Sequence, residues 1–440
     1  MNSSTEVTTA RVFAIAGPAM LANLTTPLLG IVSTAAIGRL GEARLLGGVA
    51  VASVAFDCLF WLFNFLRLGT VAFTAQALGA QDRVEINAVL ARGLIASAII
   101  GLVLLALQSP YATAVFALVG ADASVTAAAR LYFLIRMWSA PFLLANYVLL
   151  GWFVGLARMR MALSLQVLIN VINIVATIAL VIIFNFGIAG AATANVLGEA
   201  TGCLCGLAAA RPLFGHRPAA VRSILFARSK LTQLLSANRD IMIRTACLIA
   251  GFFFFTAQGA RTGDVTLAAN AVLNNFIMIG SFVLDGLANA AEQLCGQSVG
   301  ARDAAAFSRA AKLVSGWSFG FGVALTVVFL LFGHLLIDLM AASPQVRATA
   351  GQFLVYAALA PACAVMAYCF DGIYIGATWT RDMRNLMIAA LATYLIAWYA
   401  LRPFGNAGLW IALLIFLLSR GLYQAARFPG LVRRSFTRSP

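Results

Sequence analysis

Five carboxylates, Asp57, Glu199, Asp285, Glu292 and Asp371, stand inside long apolar stretches of this 440-residue chain. An ionised carboxylate at the centre of a bilayer costs at least about 3 kcal/mol. Such a group must face a cavity, pair with a base, or carry a proton. In the first half, Arg67 and Arg136 are the bases at hand, so Asp57 reads as half of an ion pair. In the second half, Asp285 and Glu292 are seven positions apart, two helical turns, which puts them on one face. Asp371 falls inside its stretch, while Glu292 lies nearer the inner surface. Arg244 and Lys312, near the inner ends of the seventh and ninth stretches, count with the cytoplasmic charges, so no Arg or Lys reads as intramembrane from the seventh to the eleventh. At least one of these acids is therefore expected to be solvated in a cavity or to hold a proton. Asp371, Asp285 and Glu292 are the candidate residues for coupling to a proton or another cation.

Other chemistries find little to build with. His216 and His334 are the two histidines, both near loops, so a zinc site or a histidine-based triad is not expected. The seven cysteines all fall in apolar stretches without a C-x-x-C pair and read as small packing residues. Neither a G-x-S-x-G motif nor a P-loop occurs. The expectation is a protein that is not an enzyme and has no metal or cofactor. Its energy would come from an ion gradient or from the substrate's own gradient.

The elements that must position these acids are membrane spans. With 62% hydrophobic and 10% charged residues, the chain is too apolar to hide its surface in a water-soluble fold. Its mean hydropathy is +0.93. Twelve stretches reach the length of about 20 residues that crosses a bilayer. They lie near 12–37, 48–77, 88–107, 128–155, 161–184, 188–210, 241–259, 266–295, 310–333, 350–376, 385–401 and 407–426. The first is too long for a signal-peptide core and reads as a span.

Placing the N-terminus inside the cell puts most basic residues on the cytoplasmic side. Arg39, Arg44, Arg130, Arg261, Arg347 and Arg402 fall outside, and Arg67, Arg136 and Arg420 remain in spans. That bias orients both termini to the cytoplasm. It also accounts for the net charge of +15 without nucleic-acid binding.

The longest polar interruption, 211–240, separates an N-lobe (1–210, six spans) from a C-lobe (241–440, six spans and a basic tail). Its segment "SILFARSKLTQLL" is expected to form an amphipathic helix on the inner membrane surface.

The two halves repeat. Gln76-x-x-Gly79-Ala80-x-Asp82 recurs as Gln297-x-x-Gly300-Ala301-x-Asp303. Phe133-Leu134 and Ala140-Pro141 recur as Phe353-Leu354 and Ala360-Pro361. Gly151, Gly155 and Arg160 recur as Gly372, Gly376 and Arg381. Three ordered blocks at an offset of 220 or 221 indicate duplication. Asn64 is the counterpart of Asp285, so that acid belongs to one half. Six spans per repeat is an even number. The halves should therefore enter the membrane in one direction, related by a pseudo-two-fold axis along the membrane normal. Two such bundles suit alternating access. Pro18 and Pro27 in the first span remove intrahelical hydrogen bonds and are the candidate hinge.

With these features in place, the chain resembles the multidrug and toxic compound extrusion (MATE) family, in its DinF-like branch. The segments that carry the likeness are "AGPAMLANLTTPLLGIVSTAAIGRLG", "FWLFNFLRLGTVAFTAQALGAQD", "APFLLANYVLLGWFVG", "NRDIMIRT", "LDGLANAAEQLCGQSVGARD" and "DGIYIGATWTRDMRN". The resemblance implies an all-α integral membrane protein with twelve helices in two six-helix lobes. It also implies antiport driven by protons or sodium ions.

Two departures stand out. Ser33 and Thr177 occupy positions where the family usually carries Asp, which puts N-lobe coupling in question. Asn173 survives beside them. Ser33, Asn23, Asn64, Asn170, Asn173, Thr177 and Asn195 are the candidate cleft-lining residues.

The expected function is export of organic, cationic or amphipathic compounds from a bacterial cell across its inner membrane, by a monomer. A lipid-linked precursor flippase is an alternative, but it should carry more basic residues in its cleft. A carrier that has lost ion coupling is another.

Overall fold

The computed structural model describes residues 7–38, 42–120, 122–213 and 224–437. Residues 214–223 of the expected connector and the side chain of Pro27 lie outside that description. Among the described residues the chain is helical without strands. In a bilayer that is the required solution, because a helix satisfies its backbone hydrogen bonds within one segment. The outer faces are apolar. Phe253, Leu331 and Ile396 are each more than 70% exposed, which suits lipid and not water.

The helices run α1 (Thr9–Gly38), α2 (Ala43–Leu62), α3 (Phe65–Gly79), α4 (Arg83–Ala106), α5 (Gln108–Val119), α6 (Ala123–Arg136), α7 (Ala140–Gly155), α8 (Met159–Thr177) and α9 (Gly187–Ala210). They continue as α10 (Arg228–Ala260), α11 (Asp264–Gly300), α12 (Ala304–Met340), α13 (Pro344–Gly376), α14 (Thr380–Leu401) and α15 (Gly405–Thr437). Nine stretches of the described chain are long and apolar enough to cross a membrane, the last taking in both α14 and α15.

Four features differ from the sequence reading. The interval 48–77 is two helices, broken at Phe63 and Asn64. Pro141, which the fourth apolar stretch places mid-span, does not interrupt a helix. It stands in the first turn of α7, after a 3-10 turn at Met137–Ser139, where its missing N–H leaves no hydrogen bond unmade. α5 forms where a loop was read, and its Tyr111 and Phe116 rings pack on Phe133. The expected surface helix does not stand alone, because Arg228–Leu235 is the start of α10. No Gly or Pro interrupts residues 228–241, so the helix runs on.

The chain forms two compact units. One is Leu21–Leu235, and the other is Met1–Met20 with Ser236–Pro440. Helix α1 contributes to both, and the division falls between Pro18 and Pro27. In the first unit Trp152, Phe153, Phe133, Phe56 and Phe60 are sealed. In the second, Leu273, Phe276, Leu354, Tyr394, Trp410 and Phe416 form the core. There the start of α1 packs on α11, where a β-carbon on Gly286 would overlap Met20 and Ala16.

The duplication is written into the backbone. Gln81 and Arg302 adopt φ of 57° and 55°, and Ala157 and Thr378 adopt 58° and 56°. Left-handed non-glycine residues are uncommon, and these four form two pairs, each 221 positions apart. All four close Schellman caps. Asp82 N–H donates to the Ala77 carbonyl at 2.9 Å, as Asp303 N–H does to Ser298 at 3.0 Å. Arg158 N–H donates to Phe153 at 2.9 Å, as Trp379 N–H does to Tyr374 at 2.8 Å. Asp82 and Asp303 then cap the next helix, each accepting from the N–H three residues on at 2.9 Å.

Close helix crossings repeat as well. β-Carbons on Gly151 and Gly155 would press on the carbonyls of Arg67 and Val71. Those on Gly372 and Gly376 would press on the carbonyls of Ala288 and Glu292.

Candidate functional site

In the second unit, Asp371 on α13 is buried, at 5% exposure. Its Oδ2 accepts from Arg420 Nη2 at 2.8 Å and also from Arg244 Nη2. Its Oδ1 accepts from Gln424 Nε2 at 2.7 Å. Arg420 and Gln424 stand one turn apart on α15, so one helical face grips both oxygens. Gln424 is placed in turn by Tyr374, whose hydroxyl donates to the Gln424 carbonyl at 2.7 Å.

This overturns one premise of the sequence reading, that no base falls within the seventh to eleventh spans. By sequence Arg244 counts with the cytoplasmic charges, near the inner end of the seventh stretch. Because α10 starts at Arg228, Arg244 lies well inside that helix and reaches Asp371. Asp371 is thus an ion-paired carboxylate held by two guanidinium groups.

Asp285 differs. It is exposed on α11, and its charge reaches Tyr368, whose hydroxyl meets Ser281 Oγ. The same tyrosine feels Arg420 and Arg244, so Asp285 and the Asp371 cluster share one electrostatic neighbourhood. Glu292, two turns on from Asp285, is 2% exposed. The seven-residue spacing does not give the two acids equal access. α11 runs into tight packing with α13 where Gly372 and Gly376 meet it.

In the first unit, three of the candidate lining residues come together. Asn173 Nδ2 donates to Asn195 Oδ1 at 2.9 Å, and Thr177 Oγ1 donates to Asn173 Oδ1 at 3.3 Å. Asn195 Nδ2 reaches the Tyr132 hydroxyl at 3.4 Å. Thr177 also precedes a π-helical turn at Ile178–Ile183, a local widening of the helix. Asn170 pairs with Gln166 at 3.3 Å on the same helix. Asn64 sits at the α2–α3 break, and its carbonyl accepts from the N–H groups of Arg67 and Leu68. Asn23 and Ser33 are half-buried on α1.

The remaining acids of this unit are placed differently from each other. Asp57 pairs with Arg136 at 3.4 Å, and that guanidinium lies 4.0 Å above the Phe56 ring. Glu199 on α9 accepts from Asn146 Nδ2 at 2.7 Å. Arg244, Gln424, Asn146 and Tyr132 were not singled out by the sequence reading. The i, i+4 spacing of Arg420 and Gln424 was the available signal. Nothing local marked Asn146, since its partner is 53 residues away.

The MatE family model matches residues 18–194 and again 241–399. The DNA damage-inducible protein F of Escherichia coli K12 is 37% identical over 94% of this chain and 90% of its own. The "Probable multidrug resistance protein NorM" of Caulobacter vibrioides is 26% identical over 89% of this chain and 84% of its own. An outward-facing multidrug resistance MATE family transporter of the MOP superfamily shares the fold, with a TM-score of 0.88 at 19% identity, covering 97% of this chain and 96% of its own. The chain is an all-α, two-lobed, multi-pass membrane protein, and it belongs to the MatE family of multidrug and toxic compound extrusion transporters.

Proposed function

We propose that the protein is a secondary active exporter of organic, amphipathic compounds, working by alternating access and coupled to a proton or sodium gradient. It would sit in a bacterial inner membrane with both termini in the cytoplasm. The observation that carries this reading is the charged cluster of Asp371, Arg244, Arg420 and Gln424 inside a bundle whose outer face is apolar. Buried charges of this kind are costly in a membrane and mark pathways for ions and substrates. Beside the cluster, Asp285 is exposed and is the acid that would exchange a cation. Asp371 holds the two arginines in place, and Glu292 anchors the crossing of α11 with α13. Pro18 and Pro27 flank the point in α1 where one compact unit gives way to the other, which suits a hinge.

A carrier without ion coupling is the second reading. It is favoured by the two arginines that neutralise Asp371 and by Ser33 and Thr177. Counterflow and gradient-driven uptake in proteoliposomes separate the two. Coupled export requires accumulation that depends on an imposed pH or sodium gradient. An uncoupled carrier exchanges substrate equally with or without one.

A further inference from the structure

Asn146 holds Glu199 through one side-chain atom and leaves the other without a donor among the described residues. Asn146 Nδ2 donates both to the Glu199 carboxylate at 2.7 Å and to the Glu199 carbonyl at 2.9 Å. That double donation fixes the amide. Its other atom, Asn146 Oδ1, is buried and meets no donor among the described residues, although Asn146 is 2% exposed. A buried acceptor without a donor costs about 1–3 kcal/mol. Glu199 itself makes no ion pair among the described residues. Arg136 reaches it with its charge but is engaged by Asp57 and stacked on Phe56.

The surroundings do not remove the deficit. Arg136 and Tyr132 come from α6, Asp57 from α2, Arg67 from α3, Tyr147 from α7, and Cys203 from α9 itself. Arg136 is the arginine whose charge reaches Glu199, and Glu199 shares it with Asp57. One helical turn before Glu199, on the same face of α9, Asn195 begins the chain through Asn173 to Thr177. Those groups offer neutral oxygens but no counter-charge. Glu199 supplies the charge that Ser33 and Thr177 lack.

We propose that Glu199, with Asn146, is the site at which the first unit takes up a monovalent cation, a proton or a sodium ion. The proton would reside on the Glu199 carboxylate. A sodium ion would be held by that carboxylate together with Asn146 Oδ1. Either satisfies both groups at once. The inference rests on the ion-coupled reading for its role, though not for its existence.

The test is infrared difference spectroscopy of the full-length protein in liposomes, between acidic and alkaline buffers containing choline as the cation. The wild type should show a protonated-carboxyl C=O band that is lost in Glu199→Gln and retained in Asp57→Asn. Retention of the whole band in Glu199→Gln overturns the proposal. If Glu199→Gln fails to insert, Glu199→Asp serves instead: a shifted band supports the site and an unshifted one overturns it. Adding sodium at fixed acidic pH distinguishes the ions. Loss of the band with sodium but not with choline assigns sodium, and indifference to sodium assigns the proton. In transport, Glu199→Gln should lower gradient-driven export about tenfold. A wild-type protein that shows the band but exports nothing would remove the export reading and leave the site standing.

Discussion

Arg244 on α10 reaches across 127 residues of sequence to bind the carboxylate of Asp371 on α13. Arg420 takes the same oxygen from α15, so three helices of one bundle meet at a single carboxylate. Removing one partner of a buried ion pair leaves an uncompensated charge and costs about 3–5 kcal/mol. Asp371→Asn should therefore lower thermal stability markedly as well as transport. Asp285→Asn should suppress gradient-driven transport while leaving the melting temperature near wild type, because Asp285 is exposed. Melting curves in detergent beside transport rates would separate the two variants. Equal stability losses would remove the distinction drawn between them.

A second ion pair holds part of the 211–240 connector within the first unit. Arg92 Nη1 binds Glu85 Oε1 at 2.9 Å, while Arg92 Nε and Nη2 donate to the carbonyls of Leu225 and Ile224 at 3.0 and 2.9 Å. Arg92→Ala leaves the buried Glu85 to Lys230, at 3.5 Å, and frees two carbonyls, an expected loss of about 3 kcal/mol. Limited proteolysis near residues 224–230 should accelerate in that variant. Unchanged cleavage would mean that the clamp does not hold the segment.

The repeated glycine crossings should respond alike. Gly151→Leu and Gly372→Leu each force a side chain against a neighbouring backbone carbonyl, and overpacking of this kind costs about 1–3 kcal/mol. Both variants should lower stability by similar amounts, read as melting temperature in one detergent. A large loss in one and none in the other would contradict equivalent packing of the two repeats.

What was legible in the sequence follows from range. Helices and the duplication depend on neighbours within a few residues, or on pattern repeated at fixed offset. The Asp57–Arg136 pair was anticipated because each half had few charges to choose from. The cluster at Asp371 was not. Arg244 stands so near the inner end of the seventh apolar stretch that it reads as a cytoplasmic charge, whereas the helix begins at Arg228 and carries it in. The Asn146–Glu199 contact was equally hidden, because a hydrogen bond between distant helices leaves no periodic mark. Asn173, Thr177 and Asn195 were named for their polarity inside apolar spans, and the fold brings them to one network.

Ion-coupled export is tested most directly by transport of an amphipathic fluorescent dye into proteoliposomes holding the purified protein, with an imposed pH or sodium gradient. The wild type should accumulate dye above equilibrium, and the excess should collapse when an ionophore dissipates the gradient. The Asp285→Asn variant should exchange dye passively without accumulating it. Exchange by the wild type at the same rate and extent with and without both gradients would contradict the account.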